Sequence, residues 1–372
     1  MAGAITAFGY TIPISIVLVA IALVVGVALS VSFYLTVGWS VYRSVRDTRR
    51  GRVRDDLRGD LLARLFDDDP AWEAWVAGLS DLERDVVESL LDDHLRELDG
   101  SDAERLRDLG DALGIPARAG RRLARGDEFE RLHALTWLTL LRRPEPYLAA
   151  DFEPRTVRER AAAARLCIET GAAPPAAAVE ILLADGDEEL PVFGQDTLYR
   201  AAREAPEAFL STASANYGTW PPALLVQTLA VAGRLDTSVR TGDLGWLTAA
   251  LEADEPAVRA AAASALGGFG WRRPLRDRVF LERATADPSP EVRAAVYGML
   301  ADWGDEMAVS VLMYALVSET DRRALLRGTR ALVAHADVGD EAGRVFGDAW
   351  TWSSEHAAYD RRAVGGTEPL IS

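Results

Sequence analysis

Histidine and cysteine are the side chains with which this chain could most readily bind a metal or act as a nucleophile. The sequence contains four histidines and one cysteine. The histidines are scattered, and none belongs to the His-Glu-x-x-His pattern of a zinc hydrolase. Cys167 lies between Leu166 and Ile168 in an alanine-rich stretch, which favours a buried, inert thiol over a nucleophile. These residues predict no catalytic centre and no metal or cofactor site.

Two acidic runs could attract a hard cation through their carboxylate oxygens. They are Asp67-Asp68-Asp69 and Asp185-Gly186-Asp187-Glu188-Glu189. In so acidic a chain the first is better explained as a solvated turn. The second lacks the spacing of a calcium-binding loop and is interpreted as a linker. No Gly-x-Ser-x-Gly elbow occurs, and without lysine the usual nucleotide-binding loop cannot form.

Arginine recurs at a regular interval within a repeated stretch of sequence. Two copies are close, residues 254–267 and 287–300, and they place Arg259 and Arg293 about 34 residues apart. An earlier copy, residues 151–166, contains Arg158. Repetition at this interval is typical of solenoids, in which each helix pair buries its apolar side against the neighbouring pairs.

The repeat resembles the HEAT repeat family, also described as PBS-lyase-like HEAT repeats, over residues 126–345. The resemblance implies antiparallel helix pairs. In its turns, proline ends one helix and aspartate can cap the next. It also implies a ladder in which turn aspartates and helix arginines pair between units. The ladder residues, with a structural role, would be Arg158, Asp254, Arg259, Asp287 and Arg293.

The same resemblance implies a function in binding rather than in catalysis. The layout is similar to prokaryotic membrane-anchored HEAT proteins, some of which accompany membrane glycosyltransferases or signalling systems. A scaffold or adaptor with a membrane-associated protein partner is therefore expected. The alternatives are an enzyme of the bilin-lyase or alkylpurine-DNA-glycosylase kind and a tethered regulator of a signalling system. HEAT-type iron hydroxylases use repeated His-Glu pairs, whereas this chain has only the reversed Glu355-His356.

The composition points to an unusually acidic protein. All 41 basic residues are arginines, and the formal net charge is −16. A dense negative surface keeps its hydration in strong salt, so the composition indicates a halophilic source such as a haloarchaeon. A high-GC genome, which also favours arginine and alanine, is the alternative. Nucleic-acid binding needs a basic face and is not expected.

Helical patterns dominate beyond residue 60. Ser80 and Glu83 have the spacing of a capping box and open a helix that reaches about Leu98. Ser101 repeats the capping signal for a second helix, which ends at Gly114. Alternation of period two is never sustained, so no strand is predicted. We therefore predict an all-α fold, in which one transmembrane helix precedes an α-solenoid.

The N-terminal stretch from Ile12 to Val37 contains no charged residue. A helix of this length reaches roughly 39 Å at about 1.5 Å per residue, whereas the hydrocarbon core of a bilayer is roughly 30 Å thick. Pro13 would lie in the first helical turn, where its missing N–H costs little. A cleaved signal peptide is the alternative, but it needs a basic start and a shorter apolar run.

The basic residues predict the orientation of this span. No basic residue precedes Arg43, and basic flanks stay in the cytoplasm. The protein is therefore expected in the cell membrane as a single-pass protein, with its N-terminus outside and its solenoid in the cytoplasm. The flank is either a plain stop-transfer signal or a site for anionic lipid headgroups. The candidate lipid-binding residues are Arg43, Arg46, Arg49, Arg50, Arg52 and Arg54.

These observations divide the chain into six segments. A short extracellular N-terminus precedes the transmembrane helix, and an Arg-rich juxtamembrane segment and a helical cap precede the solenoid. Aromatic residues such as Trp350 and Trp352 are expected to cap the last repeat, before a flexible end. The predicted boundaries are 1–10, 11–38, 39–60, 61–125, 126–345 and 346–372.

Overall fold

The computed structural model divides the chain into two compact units, Met1–Ile115 and Pro116–Ser372. The first unit therefore ends before the boundary at residue 125 that the sequence predicted. Helices predominate in both units. The residues that the structure describes are 4–7, 10–13, 23, 26, 29–34, 36, 39, 51–67, 69–183, 186–235, 244–333, 335 and 339–365.

The first unit begins with a β-hairpin, which the sequence did not predict. Strand β1 (Ala4–Ala7) pairs antiparallel with strand β2 (Tyr10–Pro13), and Ala4 lies opposite Pro13. The prediction that Pro13 occupies the first turn of a helix is wrong. Thr11 and Ile12 are β-branched, and such residues favour extended backbone.

The predicted transmembrane helix, residues 11–38, lies largely outside the described residues. Those described from Leu23 to Thr36 are helical. Among all described residues, no helix combines the length and the apolar content that crossing a bilayer requires.

Four helices follow in the first unit. Residues 51–65 are helical (α1), followed by α2 (Trp72–Ala77), α3 (Asp81–Glu97) and α4 (Ser101–Ala112). The Ser80–Glu83 capping box is confirmed, because the Ser80 N–H donates to Glu83 Oε2 at 2.8 Å. The prediction that Ser101 caps α4 is wrong. Gly100 holds that position with a φ of 75°, and Ser101 is the first helical residue.

The regular secondary structure described in the second unit is helical, and the helices alternate between two layers. Their bounds, in chain order, are α5 (Ile115–Arg125), α6 (Glu128–Leu141), α7 (Glu145–Ala149), α8 (Val157–Thr170), α9 (Pro175–Leu183), α10 (Val192–Glu204), α11 (Pro206–Asn216), α12 (Pro222–Ala232), α13 (Gly245–Ala250), α14 (Pro256–Gly268), α15 (Arg273–Arg276), α16 (Leu281–Thr285), α17 (Pro290–Trp303), α18 (Glu306–Val317), α19 (Arg322–Leu332), α20 (Gly339–Phe346) and α21 (Asp348–Gly365).

Each helix of the first layer packs on the next helix of that layer. The order is α6, α8, α10, α12, α14, α17, α19 and α21. In the second layer α9, α11 and α13 follow one another, as do α16, α18 and α20. The packing is thus between neighbours in sequence, and a nearly continuous apolar core runs from Ala161 to Ala342.

Small residues set the spacing within the first layer. Ala262, Ala263 and Ala265 of α14 are buried. A Cβ added at Gly268 would overlap the carbonyl oxygen of Gly233, which follows α12. Because no side chain separates the two backbones there, α12 and α14 pack closely. Gly268 is the last helical residue of α14, and the turn itself contains Gly270 with a φ of 70°.

The turn prolines begin helices. Pro256 and Pro290 are the first residues of α14 and α17. These two prolines start a helix, because their fixed φ and missing N–H suit the first helical position, whereas Pro288 lies in the turn after α16. Asp287 is not the N-cap of α17, since that position belongs to Ser289. Its carboxylate accepts the Ser289 N–H at 2.8 Å and so stabilises the turn.

Candidate protein-interaction surface

Arg259 joins two consecutive turns of the second unit. It is the fourth residue of α14, and its Nε and Nη2 donate to Asp287 Oδ2 and Oδ1 at 2.7 and 3.0 Å. Its Nη1 donates to the carbonyl oxygens of Ala253 and Asp254, both at 2.8 Å. Asp254 is exposed, and it contacts Arg259 through its main chain.

Arg293 repeats this geometry one unit later, but its acidic partner is a glutamate. Its Nε and Nη2 donate to the two oxygens of Glu319, both at 2.8 Å. Its Nη1 donates to the carbonyl oxygen of Asp287 at 2.8 Å. Glu319 also accepts from Tyr297 Oη at 2.7 Å and from the Asp321 N–H at 2.8 Å. The Glu319 side chain is only 1% exposed, so all these bonds are sheltered from water.

Two further arginines are also the fourth residue of their helix. Arg160 of α8 donates to Asp187 Oδ1 at 2.8 Å. Arg131 of α6 donates to Glu159 Oε2 at 3.0 Å and to the Glu153 carbonyl oxygen at 2.8 Å. In all four pairs the acid follows the arginine by 26 to 28 residues. That spacing is the signal from which the sequence alone could have identified Arg131, Arg160 and Glu319.

Arg158 does not occupy the position that the Val-Arg alignment gave it. It is the second residue of α8, is exposed, and forms no hydrogen bond or ion pair with another described residue. Arg160 holds the equivalent position because α8 begins at Val157, without the proline that precedes the Val-Arg pair in α14 and α17. The assignment of Arg158 to the ladder is corrected accordingly.

This difference in position can be tested by mutation. Arg160→Ala should lower the free energy of unfolding by about 1 kcal/mol, because its partner Asp187 is largely exposed and water weakens the pair. Arg158→Ala should change it by less than about 0.5 kcal/mol, as exposed substitutions usually do. Urea denaturation of the two variants measures the difference. Equal losses would contradict the assignment of Arg160.

In α12, which has no arginine at the fourth position, an amide side chain provides a connection between units. Gln227 of α12 accepts the Leu190 N–H at 2.8 Å and donates to the Leu190 carbonyl oxygen at 2.9 Å. Both the N–H and the C=O of the buried residue Leu190 are thereby hydrogen-bonded, as buried main-chain groups require. The unit of α12, which lacks the Val-Arg signature, is thus linked to the segment before α10 by neutral hydrogen bonds.

The ion pairs shift the pKa values of their acids. The hydrogen bonds from Arg293 lower the pKa of Glu319 to about 2, against the opposing effect of burial. Burial alone would raise the pKa of Asp287. The hydrogen bonds from Arg259 and the Ser289 N–H outweigh burial and hold this pKa below its ordinary value. Both acids are therefore ionised at neutral pH, as a structural ion pair requires.

Two cavities lie on either side of α16. The larger measures about 830 Å³ and lies between α16 and α18; we call it the Tyr314 cavity, and its wall includes Arg293, Tyr297, Tyr314 and Glu319. The second measures about 620 Å³; we call it the Phe280 cavity, and its wall includes Arg259, Phe280 and Asp287. Ala286 lines both cavities. Volumes of this size are typical of binding sites.

Several large apolar side chains near the two cavities are exposed; Tyr314 lines the Tyr314 cavity, and Phe280 lines the Phe280 cavity. Tyr314, Val317 and Met307 of α18 are 83%, 65% and 60% exposed, and Phe280 is 76% exposed. Met307, Tyr314 and Val317 recur at helical spacing and therefore share one face of α18. Apolar side chains that cluster on a surface mark an interaction site far more strongly than single exposed ones do.

The residues considered first for chemistry lie apart from these cavities. Cys167 is buried, and burial raises the pKa of its thiol above the ordinary value, which disfavours the reactive thiolate. His133 is hydrogen-bonded to the Trp137 side chain, and His356 is hydrogen-bonded to the Trp352 carbonyl oxygen. Within the described part of the chain, no three His, Cys, Asp or Glu side chains are grouped so that they could hold a metal ion.

The remaining candidate residues are only partly described. Arg43, Arg46, Arg49, Arg50, Asp68 and Asp185 lie outside the described residues. Arg52 is exposed, whereas Arg54 pairs with Asp93 at 2.5 Å. That pair competes with any lipid headgroup for the Arg54 guanidinium.

The Tyr314 cavity therefore combines an uncovered apolar helix face with a rigid ion-paired wall. An exposed apolar face beside a cavity is the kind of surface that marks an interaction site. Comparison of the chain with protein-family models, curated proteins and solved structures finds no significant match in any of the three.

Proposed function

We propose that this chain is a membrane-anchored, cytoplasm-facing HEAT-type scaffold that binds a protein partner at the Tyr314 cavity. The observation that carries the proposal is the apolar face of α18, with Tyr314 83% exposed beside a cavity of about 830 Å³. Aromatic side chains of this kind are the usual energetic centre of a protein interface.

The helix arrangement supports the α-solenoid part of the proposal. Helices of the first layer pack in sequence order from α6 to α21. Arg131, Arg160, Arg259 and Arg293 link successive units from the same helix position. Both features are those expected of stacked repeats, in which each unit contacts its neighbours.

The anchor is proposed from the sequence. Residues 14–37 follow the hairpin and contain no charge, and arginines begin at Arg43. A span of this composition would confine the scaffold next to other membrane proteins. Confinement raises the effective concentration of scaffold and partner without adding any contact between them.

The proposal can be tested in native membranes with the full chain. A photoreactive amino acid in place of Tyr314 should cross-link a membrane protein, whereas the same group in place of Val192 should not. Val192 is the matched control because it is 88% exposed and lies in α10, outside both cavities. The cross-linked protein should also co-purify with the unlabelled chain, and Tyr314→Ala should reduce that co-purification at least tenfold.

Three results would contradict the proposal. Equal cross-linking from positions 314 and 192 would show that the partner does not bind at the Tyr314 cavity. Digestion of the second unit by protease added outside intact cells would exclude a cytoplasmic orientation. A coloured or chemically converted small molecule bound to the purified chain would favour the lyase-like alternative.

A further inference from the structure

We infer that the Tyr314 cavity receives an arginine or lysine side chain from a basic and apolar segment of the partner protein. This inference rests on the proposed function and identifies the chemistry of the bound segment. It follows from a count of the charges and hydrogen-bonding groups that the cavity still offers once its internal bonds are made.

Glu282 supplies the uncompensated charge. It lies in α16, lines the cavity and is exposed. Its carboxylate forms no hydrogen bond or ion pair with any other residue that the structure describes. The neighbouring Arg283 does not neutralise it, because Arg283 Nη1 pairs with Glu252 at 2.6 Å on the side of the Phe280 cavity.

Arg293 offers no charge of its own to a ligand. Its Nε and Nη2 are occupied by Glu319, and its Nη1 by main-chain carbonyl oxygens. Glu319 in turn accepts from Arg293, Tyr297 and the Asp321 N–H, so its lone pairs are occupied as well. The pair is therefore neutral, and the uncompensated charge of the cavity is that of Glu282.

Two hydroxyl groups of the wall, those of Thr285 and Ser318, add acceptors rather than donors. Thr285 Oγ1 donates to the Leu281 carbonyl oxygen at 2.9 Å, and Ser318 Oγ donates to the Ala315 carbonyl oxygen at 3.1 Å. A hydroxyl that has donated its proton presents only lone pairs to a ligand. These two groups and the Glu282 carboxylate match the donor-rich guanidinium of arginine or the ammonium of lysine.

The aromatic wall favours the same ligand. The Tyr314 ring is 83% exposed, and Val311 next to it is partly buried. A cation can lie over a tyrosine face while its methylene stem packs on apolar atoms. Apolar neighbours of that cation would cover Val317 and Met307, which share the exposed face of α18.

The Phe280 cavity differs in its charge. Its wall contains Arg259, Arg278 and Arg283 together with three acids. These charges balance, whereas the two glutamates of the Tyr314 cavity, Glu282 and Glu319, outnumber its one arginine, Arg293. The Tyr314 cavity therefore attracts a cationic side chain more strongly than the Phe280 cavity does.

The partner segment that fits is the cytoplasmic flank of a membrane protein. Such flanks are enriched in arginine and lysine next to apolar sequence. A chain with a net charge of −16 would attract them over the range that salt screening allows. We therefore identify the partner segment as a basic juxtamembrane stretch.

The test uses the full chain in a zwitterionic detergent and a short fluorescent peptide of leucine and arginine. A second peptide carries citrulline, which keeps the shape of arginine and lacks its charge. Fluorescence anisotropy should show about tenfold tighter binding of the arginine peptide. Glu282→Gln should remove that preference. Glu204→Gln is the matched control, because Glu204 is exposed on α10 outside the cavities, and it should leave the preference unchanged.

The possible results distinguish failure of the inference from failure of the proposed function. Equal binding of both peptides, abolished by Tyr314→Ala, would overturn the cationic ligand and support the docking surface. Binding that is indifferent to Tyr314→Ala, or no binding up to the solubility limit, would overturn both. If a peptide of residues 43–54 of this chain binds more tightly than the arginine peptide, the segment belongs to a second copy and the assigned partner is wrong.

Discussion

Arg131→Met should lower the free energy of unfolding by about 3–5 kcal/mol. The Arg131 and Glu159 side chains are only 3% and 1% exposed, and they pair at 3.0 Å. Removal of the arginine leaves a buried carboxylate whose remaining partner is the Arg155 N–H at 2.7 Å. Methionine keeps the apolar contact with Phe152, over which the guanidinium lies at 4.5 Å. The lower free energy of unfolding would therefore reflect the unpaired buried charge rather than a loss of packing.

The double variant Arg131→Met with Glu159→Met is the informative control. It should recover most of the stability, because two well-packed apolar side chains often match a buried ion pair. Arg131 Nε is buried and has no hydrogen-bond partner among the described residues, which makes such recovery easier. Arg200→Met removes an exposed pair with Glu169 and should cost less than about 1 kcal/mol in urea denaturation. If the double variant were as unstable as Arg131→Met, the ion pair would stabilise the fold by more than the mutual neutralisation of two buried charges.

Glu319→Gln should lower the free energy of unfolding at pH 7 by about 3 kcal/mol. The pKa of Glu319 falls from an ordinary value of 4.5 to about 2 in the folded chain. Because the folded value is the lower one, the ionised group stabilises the fold fully above pH 4.5. That contribution disappears as the pH falls toward about 2. A shift of this size corresponds to about 3 kcal/mol.

The pH dependence distinguishes this effect from a loss of packing. The difference between the wild-type chain and Glu319→Gln should be largest above pH 4.5 and should shrink toward pH 2. Tyr297→Phe removes a neutral donor to Glu319 and should cost about 1 kcal/mol. Burial and the bond to Glu319 raise the pKa of Tyr297, so that phenol stays protonated throughout this range. A difference between the wild-type chain and Glu319→Gln that does not vary with pH would contradict the lowered pKa of Glu319.

Local sequence determined the helices and some of their ends. The capping box of α3 needs only Ser80 and Glu83, which lie within one helical turn. Gly114 adopts its positive φ just after α4, as its position predicted. The Val-Arg pairs of α14 and α17 pointed to Arg259 and Arg293, because a repeated turn repeats its local chemistry.

Tertiary structure decided which groups meet across the units. Arg160 rather than Arg158 contacts the next turn, because the position of an arginine depends on where its helix begins. Arg293 and Glu319 lie 26 positions apart in the sequence, and packing brings their side chains within 2.8 Å of each other. The same holds for the Tyr314 cavity, whose walls come from α16, α17 and α18. Short-range rules fix the hydrogen bonds of one turn, whereas a cavity depends on how whole helices pack.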